Sequence, residues 1–89
     1  MSAGEHNRNH IDETIKTQTL EKLVENFVNK GYPEFKPIQH TTQVVSGINH
    51  KYKIQVGKNA YIHCKIHENT KGELSVISVD EGKTLSDAL

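Results

Sequence analysis

From residue 51 onward apolar and polar positions alternate: Tyr52, Ile54 and Val56 fall on one side, Lys51, Lys53 and Gln55 on the other. A period of two is that of a half-buried strand, so the first set is expected to face a core and the second to face solvent. Gly57, Lys58 and Asn59 make a turn, after which Ala60, Ile62, Cys64 and Ile66 alternate with Tyr61, His63, Lys65 and His67. So short a connection joins antiparallel neighbours. Asn69, Thr70, Lys71 and Gly72 read as a second turn, residues 74–79 as a last strand, and Asp80, Glu81, Gly82 and Lys83 as the start of a solvated tail.

Ahead of the strands the period changes. Leu20, Leu23, Val24, Phe27 and Val28 recur at helical spacing and define an amphipathic helix with one core-facing stripe. Asp12, Thr14 and Thr17 are alternative N-caps, and Ile11 and Ile15 fall roughly opposite the stripe if the helix runs straight back. The stop is marked by Asn29, Lys30 and Gly31, with Gly31 as the left-handed residue after the last turn. Tyr32 and Pro33 then open extended chain. One helix followed by consecutive strands with short loops predicts an α+β fold: a helix packed on an antiparallel sheet of four to five strands. Residues 1–89 make a single domain, with residues 1–10 as a flexible arm and residues 80–89 as a polar tail.

Composition narrows what such a domain does. A chain of 89 residues buries roughly two-thirds or less of its unfolded surface, enough for one small core and not for a deep substrate cavity. Eleven Lys and Arg balance eleven Asp and Glu, which argues against a general nucleic-acid or membrane footprint. The middle is the basic part, since Lys36, Lys51, Lys53, Lys58 and Lys65 fall between Phe35 and His67 with no acidic residue. A single cysteine, Cys64, rules out an internal disulfide. With a polar start and no apolar run, a reducing, cytoplasmic setting is expected, without a membrane span.

The residues ahead of Tyr52 carry the most information. Gln43, Val44, Val45, Ser46 and Gly47 form an uncharged stretch in which two β-branched residues meet a Ser-Gly turn, with Gly47 free to take a positive φ. The plain reading is a strand ending at a turn; the sharper one is a binding edge. The stretch matches the Gln-x-Val-x-Gly hairpin of the cystatins. Tyr52, Lys53, Val56, Gly57 and Asn59 follow in register, Tyr61, Ile62, His63, Cys64, Lys65 and Ile66 match the next strand, and Tyr32, Pro33, Glu34, Phe35, Lys36, Pro37 and Ile38 match the link upstream. The chain therefore resembles the cystatins, and most closely their intracellular stefin branch, over residues 20–79.

That resemblance implies a reversible, competitive inhibitor of papain-like cysteine proteases, neither an enzyme nor a user of cofactors. Three pieces would plug the protease cleft: an N-terminal trunk carrying Gly4, the hairpin of Gln43, Val44, Val45, Ser46 and Gly47, and a second loop of His67, Glu68, Asn69, Thr70, Lys71 and Gly72. Stefins carry Leu-Pro in that second loop. Here the loop is shorter and wholly polar, so weaker binding or greater reliance on the trunk is expected. The resemblance also implies a monomer able to form a dimer by exchanging halves through the first hairpin.

Other chemistry is weaker in this sequence. His63 and His67 on one strand stand about 13 Å apart, too far to share a metal, and His6 and His10 sit on the arm. Cys64 falls among inward positions, buried and inert rather than nucleophilic. The rival to inhibition is a cystatin-fold binding module for a protein partner, or for nucleic acid through the outward face of Lys51, Lys53, Tyr61, His63 and Lys65. One aromatic on a chain of zero net charge makes that face a poor platform for single strands.

Overall fold

A computed structural model describes residues 15–89. Helix α1 (Thr17–Val28) precedes strands β1 (Lys36–Val45), β2 (Gly47–Gly57), β3 (Ala60–Glu68) and β4 (Leu74–Lys83). The strands form one four-stranded sheet in the order β1-β2-β3-β4, antiparallel throughout. The expected α+β architecture holds. Because each connection is a hairpin, the β1–β2 and β3–β4 turns lie at one end of the sheet and the β2–β3 turn at the other.

The alternation read from the sequence builds the core. Tyr52, Ile54 and Val56 from β2 and Ile62, Cys64 and Ile66 from β3 are buried against Leu20 and Val24 of the helix. Leu74, Val76 and Val79 of β4 pack at the margin with Leu23, Tyr32 and Phe35. Burying one such aliphatic side chain contributes about 1.5–3 kcal/mol, so the strand centres hold the fold. Ile15 joins this core, and its backbone N–H donates to the Tyr52 hydroxyl at 3.1 Å.

At the far end, Glu81 of β4 ties down the helix exit. Its carboxylate accepts from the Lys30 ammonium at 2.9 Å and from the Tyr32 hydroxyl at 2.7 Å. Those bonds from Lys30 and Tyr32 hold the Glu81 carboxyl below the usual carboxylate range, while burial and the bond to Glu81 push the Tyr32 phenol up.

Several expectations are corrected. The helix cap is Lys16, with no side-chain capping bond, so Thr17 is the first helical residue and not the cap; Asp12 and Thr14 lie outside the described residues. Asn29 (φ 60°), not Gly31, takes the left-handed position, which its short polar side chain tolerates. Phe27 is 53% exposed, because the stripe is wider than the surface the sheet offers it. The last strand continues through Asp80, Glu81 and Gly82 to Lys83, since pairing with β3 extends to Tyr61 opposite Lys83. The polar tail therefore begins at residue 84.

The largest correction concerns Lys53. Its side chain lies on the outward face as the alternation requires, yet it is only 2% exposed. Residues 84–89 turn back over that face. The Lys53 ammonium donates to the Leu85 carbonyl at 2.7 Å and also to the Asp87 carbonyl. The turn that supplies these carbonyls is closed by the Thr84 N–H donating to Asp87 Oδ2 at 2.7 Å. A period of two tells which face a residue takes, but not what later covers it.

Candidate functional site

The first hairpin turns as tightly as a strand pair allows. Val45 stands opposite Gly47, Val44 opposite Ile48 and Gln43 opposite Asn49, leaving Ser46 alone at the apex. Val44 is 77% and Val45 45% exposed, so the tip presents apolar, uncharged surface to solvent. Gly47 has φ 103°, and a Cβ there would lie 2.2 Å from the Glu68 carbonyl oxygen. Two demands thus converge on one glycine: a left-handed backbone and a contact too close for any side chain.

That close approach joins the two turns. Ile48 pairs with Glu68 and Asn49 with His67, so the end of β3 lies directly beneath the first tip. The His67 ring, through Nδ1, hydrogen-bonds Asn49 Oδ1 at 2.7 Å. His67 and Glu68 were expected in the second loop but are the last residues of β3; they support the first hairpin instead.

The remaining loop residues form a self-contained turn. Asn69 Oδ1 accepts from the N–H groups of Lys71 and Glu73, both at 2.9 Å, while its Nδ2 donates to Glu73 Oε1 at 2.7 Å. Thr70, Lys71 and Gly72 are exposed at its crest. Glu68 and Leu74, which flank the loop, face each other across the β3–β4 pair. The structure therefore sets Gln43, Val44, Val45, Ser46 and Gly47 beside Asn69, Thr70, Lys71 and Gly72 on one edge. Gly4, the expected third contributor, lies outside the described residues.

One cluster escaped sequence reasoning. His50 is fully buried on the inward face, where its Nδ1 meets His40 Nε2 at 3.0 Å and its Nε2 meets Glu68 Oε1 at 2.9 Å. His40 stacks on Tyr52, with ring centroids 4.2 Å apart. The alternation that turns Tyr52 inward also turns His50 inward, and that was the available sign. The partner on β1 was hidden by the irregularity between Pro37 and Gln39, which resets that strand's faces.

Elsewhere the chemistry is quiet. Burial raises the Cys64 thiol to about 12, far from a reactive thiolate. Burial lowers the His63 imidazole below its ordinary value, with the Lys53 and Lys83 charges adding to the effect. Among the described residues no group of three His, Cys, Asp or Glu is arranged to hold a metal ion, and no helix is long and apolar enough to cross a membrane. On the outward face Lys51 and Lys65 oppose each other across β2 and β3, but with Lys53 covered the basic platform loses its middle charge.

No family model matches the chain. Named relatives do. Cystatin-A1 of Sus scrofa is 38% identical over 78 residues, spanning 82% of this chain and 71% of the relative. Cystatin-A of Felis catus is 35% identical over 82 residues, 89% of this chain and 79% of the relative. Cystatin-B of Homo sapiens is 32% identical over 79 residues, 83% and 76% of the two chains. A helix on a four-stranded sheet with an exposed tip, joined to this identity over most of the length, shows that the chain belongs to the cystatin family, in its stefin branch. The family is one of cysteine protease inhibitors, not of enzymes.

Proposed function

We propose that the chain is a reversible, competitive inhibitor of papain-like cysteine proteases, acting as a monomer in a reducing, cytoplasmic setting. The tip of residues 43–47 enters the cleft, Gly4 and its neighbours lie along it, and residues 69–72 rest at the rim. The observation that carries this reading is the tip itself: Val44, 77% exposed, two residues before the apex of an uncharged hairpin whose Gly47 is wedged on the Glu68 carbonyl. An uncharged tip loses little on desolvation, and a cleft shaped for peptide receives its backbone and two valines. No nucleophile is needed. The tip blocks access to the protease cysteine without offering a peptide bond for attack.

Titrating papain with the intact chain, with a chain lacking residues 1–4, and with Gly47→Arg tests the reading. The intact chain inhibits competitively, the shortened chain is weaker, and Gly47→Arg is weakest. Equal inhibition by all three would refute the assignment of the site. A dimer formed by straightening β1 and β2 through residue 46 would lose the tip, so it should elute as a distinct, non-inhibitory species after storage at high concentration.

A further inference from the structure

Glu68 holds the first hairpin twice. Its backbone carbonyl lies against Gly47, and its side chain accepts from His50 Nε2 at 2.9 Å. A carboxylate only accepts, so His50 donates there through Nε2–H. The other nitrogen of the same ring, Nδ1, meets His40 Nε2 at 3.0 Å. A chain Glu68–His50–His40 therefore runs across β3, β2 and β1 just below the two turns.

Proton counting decides how this chain behaves. With both imidazoles neutral, His40 Nε2–H donates to the lone pair of His50 Nδ1. One added proton on the pair is compatible with the bond, because either ring still offers a lone pair to the other. A second added proton puts N–H on both facing nitrogens. Neither can then accept, and two like charges sit beside a ring that is fully buried. Among the described residues the titratable side chains shown in contact with the pair are Glu68 from β3 and Tyr52 from β2; the chain entering α1 contributes the apolar Ile15, with the Lys16 side chain exposed.

We propose that His40 and His50 are positioning residues for the inhibitory edge, and that a second proton on the imidazole pair breaks the side-chain link that ties β1, and with it residues 43–47, to Glu68. The proposal rests on the inhibitory reading above. It makes the inhibitor strongest near neutral pH and weaker in acid, where the edge strand β1 keeps its backbone ladder but loses its side-chain tie to β2.

The test follows the nitrogen-15 labelled full chain by NMR from pH 7.5 to 4.5, beside His40→Gln. A glutamine amide offers a donor or, after rotation, an acceptor, so it preserves the link in either protonation state. In the unsubstituted chain the amides of Val45 and Gly47 shift with the same midpoint as the imidazoles of His40 and His50; in His40→Gln that midpoint disappears. Inhibition of papain weakens about three- to tenfold across that midpoint, the size of one net hydrogen bond, relative to a flat profile for His40→Gln. If the imidazoles titrate while the Val45 and Gly47 amides stay still, if both chains respond alike, or if no second proton is taken up above pH 4.5, the proposal is overturned. A chain that inhibits at no pH would sink the inhibitory reading alone, since the NMR titration stands without a protease.

Discussion

The β1–β2 and β3–β4 turns, side by side at one end of the sheet, are held in opposite ways. Among the described residues the first has no side-chain hydrogen bond across its tip; it keeps its shape because Gly47 sits where no Cβ fits, against the Glu68 carbonyl. The second ignores its surroundings and closes on itself through three bonds from the Asn69 side chain. One turn is apolar, exposed and dependent on its neighbour; the other is polar and autonomous. A binding tip must spare its side chains for the partner, so its rigidity has to come from backbone packing underneath. A turn that spends its side chains on itself keeps few to offer.

The sharpest break falls on Gly47. Gly47→Ala forces a Cβ into a left-handed position and onto a carbonyl oxygen, and should cost about 2 kcal/mol or more in stability, read as a lower urea midpoint, together with most of the inhibition. Val44→Asp comes next. It adds a charge to an open surface, so the thermal midpoint should hold while the inhibition constant for papain rises by roughly thirtyfold, the desolvation of one unpaired polar group. A lowered midpoint in that variant would mean that the tip is part of the fold rather than a surface kept for binding.

Asn69→Ala removes acceptors for two backbone N–H groups at a solvated turn and should cost about 1 kcal/mol, with a smaller effect on inhibition than either change at the first tip. Supplying the missing apolar anchor should be gentler still. Because the Lys71 N–H donates to Asn69, a proline there would open the turn, so the anchor belongs at the exposed Thr70. Thr70→Leu should tighten papain inhibition by about threefold; no gain would place the second turn away from the protease.

The smallest expected effect lies at the opposite end of the molecule. Glu81 is held below its ordinary value chiefly by its bonds from Lys30 and Tyr32. A depressed carboxyl contributes stability above its unfolded value and loses it as pH falls through the folded one. The thermal midpoint of Glu81→Gln should thus sit slightly below that of the unsubstituted chain at pH 7 and converge with it as pH falls through the folded value. Inhibition at pH 7 should not change, since that anchor lies far from the turns.

Much of this arrangement can be read from the chain before any coordinates. The alternation from Tyr52 to Ile66 orders the two central strands and buries Cys64, and the Ser-Gly after two valines marks the tip. What stays hidden depends on pieces distant in sequence. The burial of Lys53 requires residues 84–89 to fold back over a face that β2 alone leaves open. The contact of His40 with His50 requires a strand irregularity that no local pattern announces. The shift of His67 and Glu68 from loop to strand follows from pairing with β2, which extends β3 beyond the last apolar residue.

Backbone hydrogen exchange on the intact chain, with and without saturating papain, addresses the central claim most directly. Slowed exchange concentrated at residues 43–48, with a weaker change at residues 69–72, is the predicted result. Protection centred on the outward face around Lys51 and Lys65, with residues 43–48 unchanged, would contradict it.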